Sequence, residues 1–452
     1  MTLKNNSSEL RVVVGLGATG FSCARYLQQQ GYVVAVTDTR LQPPYLEKLK
    51  KEYSEIQIST GKLDEGLLDE ATEIIISPGL SLKEPAIARQ LQKGKSIIGD
   101  IELFARAVKV PVIAITGTNA KSTVTTLVGK MAQAAGIRTE VGGNLGVPAL
   151  DLVAHESSPE LFVLELSSFQ LETTFSLSPA VATVLNITPD HMDRYEDLAE
   201  YTAAKHRVYH NCKVAVCNRD DLQTDYKQAH QQRKLYFTLE KPGKNTFGLL
   251  TKGRSVFLAF EDVPLLPVSE LPLSGRHYQA NALAALAISY GAGQAFEPML
   301  KVLREFKGLP YRCQLIRKRN NVNWFNDSKG TNVGATLAAI EGLGGEIQGR
   351  LVLIAGGVGK NADFSLLLPA LEKYVRAMVL IGEAAPILAD VIGSRVAVHR
   401  ATSLEDAVHR ADQLAMSGDY VLLSPACASF DMFKNYEHRG EVFTALVQEL
   451  KS

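Results

Sequence analysis

The stretch that decides the fold runs from Pro111 to Leu127 and reads P-V-I-A-I-T-G-T-N-A-K-S-T-V-T-T-L. It opens with an apolar run, Val112 to Ile115, of the composition typical of a buried parallel strand. A turn that contains Gly117 follows, and Lys121-Ser122-Thr123 then leads into apolar residues at helical spacing. The stretch therefore predicts a strand, a turn of small residues and a helix in direct succession.

A turn in this position is suited to binding phosphate. Its backbone N–H groups and the positive end of the helix face the anion, the lysine neutralises charge, and the hydroxyl holds Mg²⁺. Ile115 and Ala120 stand where the usual pattern has glycine, so an ordinary turn with a surface lysine is the alternative interpretation. The order of the elements favours ATP binding. The predicted ATP-binding residues of the turn are Gly117, Thr118, Asn119, Ala120, Lys121, Ser122 and Thr123.

Length and composition limit the possible classes of protein. A chain of 452 residues corresponds to roughly three domains of about 150 residues each. Lys plus Arg equals Asp plus Glu at 48 each, so no overall charge attracts nucleic acid or an anionic membrane. The five scattered cysteines lack a C-x-x-C pair, which predicts buried thiols in a reducing compartment and neither a disulfide framework nor a zinc site. The first residues lack an apolar signal segment and no run reaches the length of a membrane span, so we expect a cytoplasmic protein.

A second glycine-rich turn lies near the start of the chain. Gly15-Leu16-Gly17-Ala18-Thr19-Gly20 follows a predicted strand, and Asp38 ends the next strand about 20 residues further on. This pattern is typical of a dinucleotide-binding turn, although the same turn serves any nucleotide diphosphate. Packing glycines in a plain strand–helix turn are one alternative interpretation, and a nicotinamide-dependent oxidoreductase is another.

The middle third places polar side chains at the ends of predicted strands. The run from Leu161 to Leu164 ends at Glu165, and His191 lies shortly after the run from Val181 to Leu185. Ligands gather at the carboxyl ends of parallel strands, so Glu165 and Ser122 are suited to a hard cation that bridges phosphates. For His191, a structural role and a ligand role are equally favoured.

Three later stretches give little indication of a reaction. Lys205-His206-Arg207, taken alone, indicates the cationic face of an exposed helix. Short apolar runs between about Leu222 and Pro267 are broken by glycine and lysine, which indicates small antiparallel strands. Gly308-Leu309-Pro310 then indicates a hinge into a last domain.

The last third alternates predicted strands with helical patterns, as a parallel α/β unit does. Polar turns at residues 326–331, 356–360 and 424–429 lie next to its predicted strands, and the first two contain a lysine. Each turn alone could be plain turn chemistry. Three of them together favour an anionic ligand.

Several motifs, in the same order along the chain, resemble those of the Mur ligase family over essentially the whole sequence. They are G-L-G-A-T-G with D-T-R, T-G-T-N-A-K-S-T, L-E-L-S-S-F-Q-L-E, D-H-M-D-R-Y, N-D-S-K-G-T and S-P-A-C-A-S-F-D-M-F-K-N-Y-E-H-R-G. The resemblance implies an α/β fold of three domains. Residues 1–99 would form a Rossmann-like UDP-substrate domain, and residues 308–452 a Rossmann-like amino-acid-binding domain. Residues 100–307 would form the central ATP-binding domain, a P-loop ATPase-type parallel sheet with a small antiparallel sheet.

The resemblance also implies a reaction and its small-molecule partners. A member of this type adds D-glutamate to UDP-N-acetylmuramoyl-L-alanine with consumption of ATP, through an acyl phosphate and a tetrahedral intermediate, in peptidoglycan precursor synthesis. It uses two Mg²⁺ sites, and a carbamate formed from CO₂ on Lys205 serves the second of them. We expect a monomer that has no nucleic-acid partner and does not insert into a membrane.

The residues that match the family's motifs fall into four groups. Lys121, Glu165, His191 and Lys205 would carry catalysis, and Ser122, Glu165, His191 and carbamylated Lys205 would bind the metals. ATP would also contact Asn281, Arg312, Asp327 and Lys329. The UDP substrate would contact Gly17, Ala18, Thr19, Asp38, Thr39, Arg40, Ser77, Gly79, Asn144, Ser167 and Gln170. D-glutamate would contact Thr331, Lys360, Ser429, Phe430 and Tyr436.

Four residues depart from the family's pattern. Ala120 replaces a glycine, and we predict ordinary helical dihedral angles there because a left-handed alanine costs roughly 1–2 kcal/mol. Tyr278 replaces an asparagine on the adenine side, and Tyr311 and Val358 replace a histidine and an aspartate near the amino acid. The D-N-P-R sequence of the diaminopimelate-adding relatives is absent, which favours glutamate. A relative that adds another amino acid, a folylpolyglutamate synthetase-like enzyme and a non-catalytic nucleotide-binding protein are the alternatives.

Overall fold

The computed structural model describes residues 9–153, 158–226, 233–273, 275–345 and 347–451. These residues form three α/β units in chain order, which we call the first, second and third unit. Residues 1–8, where the sequence predicts no apolar signal segment, lie outside the described residues. So do residues 227–232, inside the stretch predicted to form small antiparallel strands.

The first unit is a parallel sheet covered by helices. Its elements are β1 (Leu10–Val14), α1 (Ala18–Gln29), β2 (Val33–Asp38), α2 (Leu46–Glu52), β3 (Gln57–Thr60), α3 (Glu65–Glu70), β4 (Glu73–Ile76), α4 (Pro85–Gln92), β5 (Ser96–Ile98) and α5 (Asp100–Ala107). The strand order is β3-β2-β1-β4-β5, and all pairs are parallel. Val12, Val13 and Val14 are fully buried because apolar clusters cover both faces of the sheet.

The second unit contains the predicted phosphate loop. Its elements are β6 (Val112–Thr116), α6 (Lys121–Ala134), β7 (Thr139–Gly143), α7 (Ala149–Val153), β8 (Leu161–Glu165), α8 (Ser168–Glu172), β9 (Val181–Val184), α9 (Leu198–His206), β10 (Val214–Asn218), β11 (Arg233–Phe237), β12 (Thr246–Lys252), β13 (Ser255–Phe260), β14 (Val263–Pro267), α10 (Arg276–Gly291) and α11 (Phe296–Glu305). The sheet order is β14-β13-β12-β11-β10-β9-β6-β8-β7. Because β6 lies between β8 and β9, the loop after β6 emerges beside the ends of both strands.

The antiparallel strands predicted in the second unit are present. β12 pairs antiparallel with β13, and β13 pairs antiparallel with β14. They extend one edge of the main sheet, since β12 pairs in parallel with β11. The alanine-rich helix α10 packs tightly in the core of this unit, with Ala282 to Ala287 almost fully buried.

The third unit is again mainly parallel. Its elements are β15 (Gln314–Arg319), β16 (Val322–Asn326), α12 (Val333–Gly344), β17 (Leu351–Gly356), α13 (Leu368–Tyr374), β18 (Val375–Ile381), α14 (Ala385–Ile392), β19 (Ala397–Arg400), α15 (Leu404–Leu414), β20 (Tyr420–Leu423) and α16 (Tyr436–Glu449). The order is β15-β16-β20-β17-β18-β19, and β15 at the edge is antiparallel. The three-domain α/β prediction is confirmed, while the boundaries at residues 99 and 307 stay predictions.

Two further expectations can be compared with the described residues. All five cysteines are free, and four are buried, whereas Cys313 is half-buried. None of the helices in the described ranges combines the length and the apolar character needed to cross a bilayer.

Candidate active site

The phosphate loop is held in shape by its own second unit. The backbone N–H of Asn119 donates to Asn186 Oδ1 at 2.8 Å, and Asn186 Nδ2 donates back to the carbonyl of Asn119 at 3.2 Å. Lys121 Nζ lies over the loop and donates to the carbonyls of Gly117 and Thr118, each at 2.9 Å. The lysine therefore already occupies the position from which its charge can act on a phosphate group in the loop.

The prediction for Ala120 is wrong. Its φ is 67° and its ψ is −9°, which places it in the left-handed region immediately before α6. The loop must reverse direction within one residue so that α6 can start at Lys121. Glycine adopts this conformation without strain, whereas the Cβ of alanine meets the following carbonyl oxygen at a cost of roughly 1–2 kcal/mol.

We predict that Ala120→Gly stabilises the protein. Relief of the left-handed strain exceeds the added conformational entropy of the unfolded chain, so the free energy of unfolding should rise by about 0.5–1 kcal/mol. Chemical denaturation of both proteins measures the change. Ala203→Gly is the matched control because Ala203 is exposed in the middle of α9, outside the left-handed region, and this change should lower stability by about 1 kcal/mol. Equal destabilisation by both substitutions would contradict the interpretation.

Glu165 ends β8 beside the loop and carries an unusual carboxylate. Its side chain is 3% exposed, and Oε1 accepts a hydrogen bond from Asn144 Nδ2 at 2.7 Å. Oε2 is buried without a hydrogen-bond partner. A buried carboxylate oxygen that lacks a donor is costly unless a cation faces it, so this atom fits a metal ligand.

Ser122 belongs to the phosphate loop, and His191 follows β9, the strand that pairs with β6. His191 has a φ of 58°, and its ring packs edge-on against Phe169 with centroids 4.9 Å apart. Burial lowers the pKa of His191, which favours the neutral imidazole that binds metals. Ser122 Oγ accepts a hydrogen bond from Arg312 at 2.8 Å. Within the described ranges, no group of three or more His, Cys, Asp and Glu side chains could hold a metal ion. Any metal here therefore needs ligands from the substrate or from other side chains.

Lys205 contradicts the interpretation of its stretch as the cationic face of an exposed helix. It is 1% exposed, and its Nζ donates to the carbonyl of Gly117 at 2.9 Å. Its Nζ also lies 4.5 Å from the centre of the Tyr201 ring. Burial lowers its pKa far below the usual value, and the nearby Lys121 charge lowers it further. The helical spacing of α9 could have indicated that Lys205 is buried. Ala204 and Lys205 follow Tyr201 by three and four residues, so all three lie on one face of the helix.

The third unit approaches the loop and encloses a cavity of 320 Å³ with the second unit. Most of the predicted ATP-binding residues line this cavity, namely Asn119, Ala120, Thr123, Asn281, Arg312, Asp327 and Lys329. Tyr278 lines it as well, buried and with its hydroxyl donating to the Phe306 carbonyl at 3.4 Å. Burial raises the pKa of Asp327 to about 6, and its carboxylate accepts from Ser424 Oγ at 2.7 Å.

Lys329 gives the cavity a pH dependence on the alkaline side. Burial lowers its pKa to about 8, and the neighbouring Arg312 charge acts in the same direction. Its cationic form, which attracts phosphate, is therefore lost as the pH rises through about 8. We predict that kcat/KM for ATP falls above this pH. Lys329→Arg should move the fall upward by about one unit or more, because a guanidinium stays charged. A profile that the substitution leaves unchanged would assign the titration to another group.

The first unit contains a separate cavity of 380 Å³ at its glycine-rich turn. Eight of the predicted UDP-contacting residues line it, namely Gly17, Ala18, Thr19, Asp38, Thr39, Arg40, Ser77 and Gly79. Asp38 Oδ2 accepts from the Leu16 N–H at 2.6 Å, and Arg40 donates to both oxygens of the carboxylate, at 2.9 and 2.6 Å. Although burial raises the pKa of Asp38, these bonds lower it below its usual value. A carboxylate engaged in this way is poorly placed to accept ribose hydroxyls, which argues against the nicotinamide alternative.

The other three predicted UDP-substrate residues lie near Glu165 and not in this cavity. Asn144 donates to Glu165. Ser167 and Gln170 form a capping box at the start of α8, and Gln170 Nε2 donates to Asp100 Oδ2 at 2.9 Å. Gln170 thereby connects the second unit to Asp100, the first residue of α5.

The predicted D-glutamate residues are only partly brought together. Lys360 Nζ donates to Asp190 Oδ1 at 2.6 Å and lines a cavity of 300 Å³ with His191. Tyr436 faces the Lys329 ammonium at 3.6 Å, and the N–H of Thr331 donates to the Lys329 carbonyl. Ser429 is buried, whereas the side chain of Phe430 is 73% exposed to solvent.

Two residues of the site are missing from the sequence-based set. Asp190 receives Lys360 and also accepts from Asn332 Nδ2 at 3.1 Å. The same Asn332 nitrogen donates to Asn119 Oδ1 at 3.1 Å and so connects the third unit to the phosphate loop. Asp190 is the first residue of the D-H-M-D-R-Y motif, and Asn332 directly follows Thr331, so their positions in the sequence offered a local signal for both.

The fold and the site define a protein of three α/β units, in which the second and third units enclose a cavity at a loop of the phosphate-binding type. Family profiles match each unit in turn: "Mur ligase MurD-like, N-terminal domain" at residues 9–99, "Mur ligase middle domain" at 115–289, and "Mur ligase, glutamate ligase domain" at 311–427. The chain belongs to the Mur ligase family.

Similar proteins match nearly the whole chain. This chain is 53% identical over 437 residues to the UDP-N-acetylmuramoylalanine–D-glutamate ligase of Pseudomonas putida, and the matched region covers 97% of each chain. It is 50% identical over 445 residues to the enzyme of the same name from Coxiella burnetii, with 98% of this chain and 100% of the relative covered. Among solved structures, MurF ligase from Thermotoga maritima in complex with ADP superposes with a TM-score of 0.63 at 16% identity, over 99% of this chain and 97% of that one. The last comparison supports the fold alone.

Proposed function

We propose that this chain is the ligase that joins D-glutamate to UDP-N-acetylmuramoyl-L-alanine with consumption of ATP, a step of peptidoglycan precursor synthesis. Relatives that carry this name are 50–53% identical to it over nearly the full length of both chains. The observation that carries the proposal in structural terms is the convergence of Lys121 and Lys205 on the carbonyl of Gly117, beside the unpaired oxygen of Glu165.

These residues suit the activation of a carboxylate. A carboxylate is a poor electrophile, and transfer of the ATP γ-phosphoryl group onto it gives an acyl phosphate with a good leaving group. Negative charge accumulates on the transferring group, so cations fixed in advance lower the barrier. Lys121 is fixed by two carbonyls, and Arg312 by Ser122, so both lie next to the loop before the nucleotide reacts.

The residues present also fit the two Mg²⁺ ions that the family resemblance implies. Glu165 Oε2 is buried and unpaired, Ser122 offers a hydroxyl, and His191 favours its neutral form. We propose Ser122 and Glu165 as ligands of one ion, and His191 with carbamylated Lys205 as ligands of the other. Bound Mg²⁺ would supply Lewis-acid stabilisation of the charge on the phosphoryl group.

Lys205 is suited to carbamylation because of where it lies. Only a neutral amine attacks CO₂, and burial favours that form in a side chain with 1% exposure. The product is a carboxylate next to Lys121, in place of an amine that shares the Gly117 carbonyl with it. The reaction would thus give the Lys121 cation an anionic neighbour.

We place D-glutamate between Lys360, Thr331, Ser429, Phe430 and Tyr436. Lys360 supports this placement because it is cationic and reaches the second unit at Asp190, close to His191. The amine of the amino acid would attack the acyl phosphate, and the tetrahedral intermediate would collapse with loss of phosphate. Holding the reactants in line in this way is worth up to about 7–11 kcal/mol in favourable cases.

A component-omission assay tests the proposed function. Phosphate release should require ATP, Mg²⁺, UDP-N-acetylmuramoyl-L-alanine and D-glutamate together, and L-glutamate or diaminopimelate in place of D-glutamate should give none. Turnover with another amino acid, or with a folate substrate, would contradict the proposal and indicate a ligase of different specificity. We also propose that the chain works as a monomer, and that it works in the cytoplasm, where a reducing environment keeps its five cysteines as free thiols.

A further inference from the structure

Arg194 bridges the first and second units at a point that the reaction chemistry does not use. Its two terminal nitrogens donate to the carbonyls of Pro78 at 2.7 Å and Leu80 at 2.8 Å, in the loop after β4. On the second-unit side, NH2 also contacts Glu172 Oε2 at 3.4 Å. The side chain is only 15% exposed, so these bonds are largely protected from water.

The loop that Arg194 holds forms one wall of the first-unit cavity. Ser77, Pro78, Gly79 and Leu80 all line that cavity. The loop is also fixed within its own unit, because Ser77 Oγ donates to the Gly15 carbonyl at 3.0 Å and the Leu80 N–H donates to the Ser77 carbonyl at 3.0 Å. The wall of the cavity therefore has support that is independent of Arg194.

The planar face of the Arg194 guanidinium lies against Phe169, an aromatic residue that contacts His191. Its central carbon is 3.9 Å from the centre of the Phe169 ring, and that ring makes a T-shaped contact with the His191 ring. Tyr195 stacks on Phe169 at 5.8 Å, and its hydroxyl donates to Glu172 at 2.5 Å. One planar group thus contacts both the wall of the first cavity and the aromatic support of His191.

We propose that Arg194 is a positioning residue that sets the distance and orientation between the UDP cavity and the reaction site. The inference rests on the proposed function, in which one substrate must have its nucleotide in the first cavity and its carboxylate beside Lys121. Such a substrate binds and reacts well only when the two units are held in the right relative position. A nucleotide that occupies the first cavity alone does not depend on that position.

The test compares two ligands on the same variants by calorimetry without ATP. UDP probes the first cavity alone, and UDP-N-acetylmuramoyl-L-alanine probes both units. In Arg194→Lys, one ammonium cannot bond both carbonyls while stacking on Phe169, and Arg194→Met keeps only the packing. For both variants we expect affinity for the full substrate to fall about tenfold to a hundredfold, and affinity for UDP to change less than about threefold.

Lys83→Met is the matched control. Lys83 joins the same two units through Glu196 and Glu200, but its side chain is 51% exposed, and exposed ion pairs contribute little. It should leave both affinities unchanged within about twofold.

Equal losses for UDP and for the full substrate would overturn the inference, because Arg194 would then only shape the cavity. No loss for either ligand would overturn it as well. Failure of the wild-type protein to turn over substrate would contradict the proposed function separately. Arg194→Lys keeps the test informative if Arg194→Met does not fold.

Discussion

Replacing Lys205 with alanine is expected to abolish ligase activity, and a small carboxylate added to the solution is expected to restore part of it. Lys205 is buried beneath the phosphate loop, with its Nζ on the Gly117 carbonyl. If its carbamate is the anionic group that serves the second metal, its removal takes several kcal/mol of charge stabilisation from the transition state. A loss of about 4 kcal/mol corresponds to about a thousandfold in rate.

The rescue distinguishes the carbamate from a structural role. Alanine leaves a space the length of a lysine side chain, into which formate or acetate fits and supplies the missing carboxylate. Phosphate release should therefore rise with formate concentration in Lys205→Ala and stay low with chloride. Lys205→Arg keeps a positive charge but cannot form the carbamate, so it should be inactive with or without formate. Lys130→Ala, at an exposed position of α6, should behave as the wild type. A fully active Lys205→Ala variant would end the carbamate proposal.

The second large effect is expected from Glu165→Gln. Glutamine keeps the shape of the side chain and an oxygen that can accept from Asn144, but it loses the charge at the buried, unpaired position. We predict that turnover falls by about a thousandfold at ordinary Mg²⁺ concentrations and recovers in part when Mg²⁺ is raised. A Mg²⁺ titration of phosphate release measures this shift directly.

A control at the other end of the same strand separates the metal effect from general destabilisation. Glu160 lies just before β8 and forms a largely exposed ion pair with Arg138. Glu160→Gln should leave the Mg²⁺ dependence unchanged, since exposed pairs of this kind contribute little. If Glu165→Gln also kept the wild-type Mg²⁺ dependence, Glu165 would not be a metal ligand.

Much of the fold was readable from local patterns. β6 (Val112–Thr116) and β8 (Leu161–Glu165) begin at the predicted residues, because continuous apolar runs between polar turns define buried parallel strands. The family resemblance pointed to the eight residues around the first cavity, and they lie together because a glycine-rich turn after a strand places its neighbours at one edge of the sheet.

The remaining features depend on contacts between residues that are distant in sequence, and the spacing of apolar residues along the chain does not reveal such contacts. Lys205 looks like a surface lysine until the loop of residues 117–123 is seen to cover it. Asn332 and Arg194 act through partners more than 100 residues away in sequence. The left-handed conformation of Ala120 was missed for a different reason. A glycine in the sequence would have suggested a positive φ at this position, whereas an alanine gives no such indication.

The transfer of oxygen from the substrate to phosphate is the most direct test of carboxylate activation at this loop. UDP-N-acetylmuramoyl-L-alanine is labelled with ¹⁸O in both oxygens of the alanyl carboxylate, converted in the presence of ATP, Mg²⁺ and D-glutamate, and the released phosphate is analysed by mass spectrometry. We predict one ¹⁸O atom in each phosphate and the other in the new amide. Product formed together with unlabelled phosphate would show that ATP does not activate this carboxylate, which would contradict the proposed reaction.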